Sequence, residues 1–260
     1  MAPWAARGLR EGVVTTPYPK RPDGYGPAWR GSVTLARGVP ESADVDVEAL
    51  CPTGAIATES GAVRLDRGRC ILCGRCVEAR PDLFRFDPRI EVASRRRHAL
   101  VVPGRDEDEE DLRRLRSELA GRVRQFRRSV HVRHVDAGSD GAEEWEVAAL
   151  TNPVYDVQRL GVFFTATPRH ADILLATGAG ARGMRGPLLR THEAMPEPRI
   201  VLAVGADAAS GGLVHPGYAT LGGVGDILPV DVWVPGSPPS PFSILHGILL
   251  AVGLLAEVAR

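Results

Sequence analysis

Cysteine is scarce, with four in 260 residues, and three of them crowd into Cys70, Cys73 and Cys76. So few excludes a disulfide-stapled secreted scaffold. Excess charge is missing too: 32 Lys and Arg balance 32 Asp and Glu, for a net charge of zero. That argues against a nucleic-acid binder driven by bulk charge. The N-terminal stretch M-A-P-W-A-A-R lacks the apolar core of a signal peptide. Long hydrophobic runs are absent as well. The longest, Ile244–Ala256, has 13 residues and contains His246, whereas a membrane-spanning helix needs about 20. No span is expected. What remains is ordinary for a globular chain, with 44% hydrophobic and 25% charged residues. Clustered cysteines without a secretion signal point to metal binding in a reducing cytoplasm.

The chain divides by pattern. Residues 1–40, rich in Gly, Pro and Arg, read as an extended arm. Residues 41–103 hold every cysteine and strand-like pieces such as Ala62–Leu65. Residues 104–129 form a charged linker and a basic helix over about 110–128, with Leu112, Leu115, Leu119, Val123 and Phe126 on one apolar face. From residue 130 to 260 strands alternate with helices. Val130–Val135, Asp172–Thr177, Arg199–Gly205 and Ile227–Val234 read as strands, Glu144–Leu160 as a helix, and Pro241 opens a last helix to about Val258. Apolar strands alternating with helices imply a parallel sheet covered on both faces.

The run C-I-L-C-G-R-C-V-E-A-R-P begins like the bacterial iron–sulfur motif C-x2-C-x2-C-x3-C-P, but Arg80 replaces the last cysteine. The remaining cysteine, Cys51 in C-P-T-G-A-I, resembles the remote ligand of bacterial ferredoxins. In two-cluster ferredoxins the fourth cysteine of one motif serves the other cluster. Cys51, Cys70, Cys73 and Cys76 are therefore the expected ligands of one [4Fe–4S] cluster. The second cluster's positions hold Glu41, Asp44, Val47 and Arg80. The region resembles a two-cluster ferredoxin reduced to one centre. A zinc site or four free thiols are the competing readings; all-cysteine zinc usually comes as two separated C-x2-C pairs.

Further along, E-A-M-P-E-P-R-I-V-L-A-V-G (193–205), A-A-S-G-G (208–212) and L-P-V-D-V-W-V-P-G-S-P-P (228–239) resemble the B (20 kDa) subunit of NADH:quinone oxidoreductase and the small subunit of membrane-bound [NiFe] hydrogenases. A-L-T-N-P-V-Y-D-V-Q-R-L-G (149–161) and T-P-R-H-A-D-I-L-L-A-T-G (167–178) are closer to the formate hydrogenlyase branch. The cysteine-bearing part, with the upstream P-Y-P and W-R-G, resembles the ferredoxin-like subunit of the same complexes, so the chain looks like a fusion of two subunits. The resemblance implies an α+β ferredoxin-like domain followed by an α/β flavodoxin-like domain with a mostly parallel sheet. It also implies a proximal cluster in the second domain. The positions that match its ligands hold Asp140, Glu143, Asp207 and Ser237, so that cluster is not expected here. Drift to a solvated polar pocket, an oxygen-ligated Mg2+ or Ca2+ site and a proton relay are the alternatives for these residues.

No catalytic residue is expected. Gly178-Ala179-Gly180 is no dinucleotide fingerprint, Arg169 and His170 read as loop caps, and His215 as a surface or interface residue. The resemblance implies an electron-transfer subunit of a complex like formate hydrogenlyase, a membrane-bound hydrogenase or complex I. It would sit at the inner face of the cytoplasmic membrane, against a hydrogenase-like or complex I-like large subunit and membrane-arm subunits. The alternative is an assembly or regulatory scaffold whose cluster is structural.

Overall fold

The computed structural model describes residues 3–22, 29–36, 47–104 and 129–255. The extended arm expected over residues 1–40 is interrupted twice. Pro3–Glu11 is helix α1, with proline in its first turn and no buried residue. Ser32–Leu35 is strand β1. Ala5, Ala6, Arg7, Leu9 and Arg10 are good helix formers, which local composition outside this segment had masked. Residues between the two dock on the C-terminal half: the Thr16 N–H donates to Val154 O at 2.8 Å, and the Tyr18 ring stands edge-on to Phe242.

The cysteine-bearing half is a small α+β unit. Strands β2 (Ile56–Glu59) and β3 (Ala62–Asp66) form an antiparallel hairpin. Helix α2 (Arg75–Ala79) follows the cysteine loop, and β4 (Phe84–Asp87) pairs antiparallel with β1. Strand β5 (Val101–Val102) extends the hairpin alongside β3. Val33, Val47, Ile56, Val63, Leu65, Leu83 and Phe84 pack with Cys70 and Cys76 in one core. The helix expected over about 110–128 lies outside the described residues.

The second half is the α/β domain. Strand β6 (Val130–Asp136) leads through a tight loop into α3 (Ala142–Ala149). Strands β7 (Val162–Phe164) and β8 (Ile173–Thr177), helix α4 (Arg182–Glu193), β9 (Ile200–Val204), α5 (Ala206–Ser210), β10 (Val232–Val234) and α6 (Pro241–Ala251) complete it. The sheet is parallel throughout, in the order β10-β9-β8-β6-β7. That is the flavodoxin-like order, and it reverses direction between β6 and β8, where ligand sites of such sheets gather. Alternate residues feed two cores. Ile173, Leu175 and Leu202 face α6 and its neighbours, while Leu174, Ala176 and Ala203 face Leu188 of α4 and Ala208 of α5.

Two elements are shorter than their apolar pattern predicts. The helix expected over Glu144–Leu160 ends at Ala149, because Asn152 Oδ1 accepts the N–H groups of Val154 and Tyr155 and Pro153 cannot continue the ladder. A single turn of 3-10 helix then spans Val157–Leu160. The strand expected over Ile227–Val234 keeps only Val232–Val234, after Pro229 breaks the run. The last helix ends at Ala251 rather than near Val258.

The halves are joined by residues 93–97. Ser94 and Trp233 exchange backbone hydrogen bonds at 2.9 and 2.7 Å, which places a one-residue antiparallel bridge on the outer edge of β10. Arg97 holds Asp66 with two hydrogen bonds, at 2.7 and 2.8 Å, and donates from Nε to Ala209 O at 3.1 Å. The Ala93 N–H donates to His246 Nδ1 at 3.3 Å.

Candidate functional site

Two groups of the expected site residues are assembled, one in each half of the chain. The first is the cysteine set. Cys51 follows a short 3-10 turn, Glu48–Leu50, Cys70 and Cys73 occupy the loop from β3 into α2, and Cys76 lies in the first turn of α2. All four line a single pocket, with Val33, Leu50, Ile56, Leu65 and Ile71 as its apolar wall. The loop needs two left-handed residues to turn the sulfurs inward: Leu72 at φ 56° and Gly74 at φ 82°. A leucine in that region carries strain that the surrounding fold must hold, a feature typical of functional loops.

Electrostatics shows the same convergence. Burial pushes the Cys70 thiol up to about 12, with the Leu72 N–H opposing and Cys76, Cys51 and Cys73 raising it further. Burial also raises Cys76, against a hydrogen bond from the Val77 backbone, with Cys73 and Cys51 adding to the rise. The Ala55 N–H donates to Cys51 Sγ at 3.2 Å. Four thiolates cannot share so small an apolar space unless positive charge arrives with them. A cubane brings it, and its irons take one thiolate each. Among the described residues no three His, Cys, Asp or Glu side chains are arranged around a lone metal ion. For the cysteines that is no obstacle, because a cluster spreads its ligands over separate irons. The donors, the apolar wall and the inward N–H groups fit a [4Fe–4S] cluster. Arg80 is turned away to Asp82, which it holds at 2.6 to 3.2 Å.

The second group lies at the C-terminal edge of the parallel sheet. Asp140 sits in the loop before α3, where its Oδ1 accepts the Ala142 N–H at 2.9 Å. Glu143 is in the first turn of α3, buried to 1% exposure, and its Oε2 has no hydrogen-bond partner. Asp207 opens α5. A Cβ on Gly205, which has φ 99°, would lie 2.5 Å from Glu143 Oε1, so only glycine leaves room for this carboxyl. Burial, then the nearby Asp207, Asp140 and Glu144, push the Glu143 carboxyl up to about 7, against a backbone hydrogen bond. Burial, with Asp140 and Glu144, also raises Asp207. Ser237 is half-buried in the loop after β10, next to Gly236, whose carbonyl accepts the Ala206 N–H at 2.6 Å.

Beside these lies a polar network that the sequence did not single out. Across the β6–β8 reversal, His134 Nε2 is 3.0 Å from Thr177 Oγ1. Thr177 Oγ1 donates to Glu144 Oε1, and Ser139 Oγ donates to Glu144 Oε2 at 2.6 Å. Burial lowers His134, with Glu144 and Asp136 opposing. Only the position of His134 and Thr177 at the ends of adjacent strands could have suggested it. His170 belongs to a one-turn 3-10 helix before β8, and His215 lies exposed with φ 56°.

Residues 141–251 match the family described as NADH ubiquinone oxidoreductase, 20 Kd subunit, and residues 63–121 match a 4Fe-4S single cluster domain. Formate hydrogenlyase subunit 7 of Escherichia coli (strain K12) is 43% identical over 138 residues, 53% of this chain and 54% of that protein. The chain thus spans about half the length of that relative. A probable membrane-bound hydrogenase subunit, mbhJ, of Pyrococcus furiosus is 38% identical over 148 residues, 57% of this chain and 89% of that protein. Among solved structures, a chain of the membrane-bound sulfane sulfur reductase, an archaeal respiratory membrane complex, aligns at 26% identity and TM-score 0.45, covering 51% of this chain and 73% of that one.

Proposed function

Because this chain belongs to the family of the 20 kDa subunit of NADH ubiquinone oxidoreductase, we propose that it is an electron-transfer subunit of a membrane-associated oxidoreductase complex resembling formate hydrogenlyase, a membrane-bound hydrogenase or complex I. Its N-terminal half is a ferredoxin-like iron–sulfur domain. Cys51, Cys70, Cys73 and Cys76 would hold one [4Fe–4S] cluster, and no second cluster is held where Asp140, Glu143, Asp207 and Ser237 stand. The observation that carries this reading is the single pocket shared by all four cysteines. When bound, such a cluster accepts and returns one electron.

The chain's own residues do the rest. Val33, Leu50, Ile56, Leu65 and Ile71 exclude water from the pocket. The Ala55 N–H donates to Cys51 Sγ, and the Leu72 and Val77 backbones favour the thiolates of Cys70 and Cys76 against the effect of burial. We divide the chain into an arm (1–40), the cluster domain (41–103), a linker and basic helix (104–129) and the α/β domain (130–260). The α/β domain would dock against a hydrogenase-like or complex I-like large subunit, with membrane-arm subunits below, at the inner face of the cytoplasmic membrane. Among the described residues no helix is long and apolar enough to cross a membrane, so the chain would attach through those partners. A scaffold role with a structural cluster is the second reading. It is favoured by the supply of four cysteines in all, which leaves the next electron carrier to another chain.

Anaerobic purification with iron and sulfide counts and EPR tests the assignment. The expected result is about four irons per chain and one reducible cubane signal, absent from Cys70→Ala. About eight irons, or bound zinc without sulfide, would overturn it. A cluster that cannot be reduced by a low-potential donor would favour the scaffold.

A further inference from the structure

Glu143 is anomalous for a buried polar group. Its side chain is 1% exposed and its Oε2 is unpartnered, whereas buried polar atoms normally find a hydrogen bond. The groups facing it are acids from each packed element: Asp207 from α5, Asp140 from the loop after β6, and Glu144 beside it on α3. Behind Glu144 stand His134 of β6, 3.6 Å away, with Asp136 and Arg133 acting on that imidazole. A charged carboxylate in this position would be both desolvated and repelled by its acidic neighbours. Something must neutralise it. A hard cation would need several oxygen ligands around it, and among the described residues no group of three is arranged that way. A proton needs no coordination sphere and no cavity, and Gly205 already makes room for the neutral acid.

We propose that Glu143 is a proton-binding site at the C-terminal edge of the sheet, with the half-exposed Asp207 as its acidic neighbour. The carboxylate takes up one proton from solvent to become the carboxylic acid and releases it to solvent, with no other bond made or broken. The site is independent of the cluster, so it stands or falls apart from the electron-transfer reading. The rise of Glu143 to about 7 from its ordinary 4.5 agrees with it. Between those two values the folded protein binds a proton that the unfolded chain releases, so stability is greatest below the lower value and falls as pH rises through the upper one.

The test is a 13C titration of glutamate carboxyls in the full chain, paired with melting curves across the same pH range. The expected result is one carboxyl with a midpoint near 7, missing in Glu143→Gln and moved downward in Asp207→Asn. Glu143→Gln should melt like the wild type at acidic pH and above it at alkaline pH. The titration reads the wild type directly, so a poorly folding variant does not block it. Wild-type glutamates that all titrate below about 5 would overturn the proposal, as would parallel pH profiles for wild type and Glu143→Gln. Magnesium that stabilises the wild type but not Glu143→Gln would also overturn it, by showing a cation in place of the proton.

Discussion

Arg97 shows what a single side chain does at the joint. Its guanidinium closes a fork on Asp66 of β3, reaches Ala209 O at the end of α5, and lies over the Trp233 ring at 6.0 Å. The bidentate pair needs a planar guanidinium, so lysine cannot replace it. Arg97→Lys is expected to cost about 2 kcal/mol, the range for hydrogen bonds to charged groups, and to loosen the two halves together. Urea unfolding would read it as a lower midpoint with an unchanged slope. None of this was legible in S-R-R-R-H, where Arg95, Arg96 and Arg97 look alike; only the tertiary partner distinguishes them. The place of Cys51 beside the other three cysteines was legible despite its distance in sequence from Cys70, because Cys-Pro-Thr-Gly-Ala is a local signature. The acids were legible as positions but not as a geometry. Asp140, Glu143 and Asp207 converge only once β6 and β9 lie in one sheet, and Ser237 enters no hydrogen bond with them that the sequence could have foretold.

At the scale of elements, α6 is the most constrained piece. Every residue of Pro241–Ala251 is buried. Ser240 caps it: Ser240 Oγ accepts the Ser243 N–H at 3.2 Å, and Pro241 follows at the first position. Ser240→Ala is expected to cost about 1 kcal/mol. Gly247 is where the helix meets the sheet, since a Cβ there would lie 2.4 Å from Val234 Cγ2. Gly247→Ala gains helix propensity but overpacks, and the net loss should be about 1–3 kcal/mol. Both are checked by thermal melts against wild type. The helix start was readable from Pro241, as proline has a fixed meaning at a first helical position. The true ends of α3 and β10 were not, because apolar periodicity runs past the points where Asn152 and Pro229 stop the ladders. The short strand β1 escaped notice for a different reason: its partner β4 lies some fifty residues on, and pairing over that separation leaves no local mark.

At the scale of the molecule, the three cores are separate. Cys70 and Cys76 belong to the core of the small half, while the two faces of the parallel sheet are packed without any cysteine. Removing the cluster should therefore act on one half. Chelation under oxidising conditions is expected to erase amide protection in β2 and β3 and to leave β8 and β9 protected, read by hydrogen exchange with mass spectrometry. Uniform loss of protection in both halves would show instead that the joint transmits the collapse. The fold classes were legible from the sequence pattern and the family resemblance. The joint was not, because it is made of backbone hydrogen bonds and of side chains, Arg95, Arg97 and His246, whose partners lie far off in sequence.

The bridge between Ser94 and Trp233 has a consequence for stoichiometry. Two separately made proteins would have to find each other at cellular concentration to close that edge of β10. Here a single chain fixes the ratio at one to one and makes closure of that edge intramolecular, which raises the effective concentration of each half for the other. The few hydrogen bonds of the joint, two of them from this bridge, then suffice where free partners would need more. The same covering denies the outer strand to a neighbouring chain, so the arrangement spares the cell an orphan subunit with an open edge whenever synthesis of its mate lags.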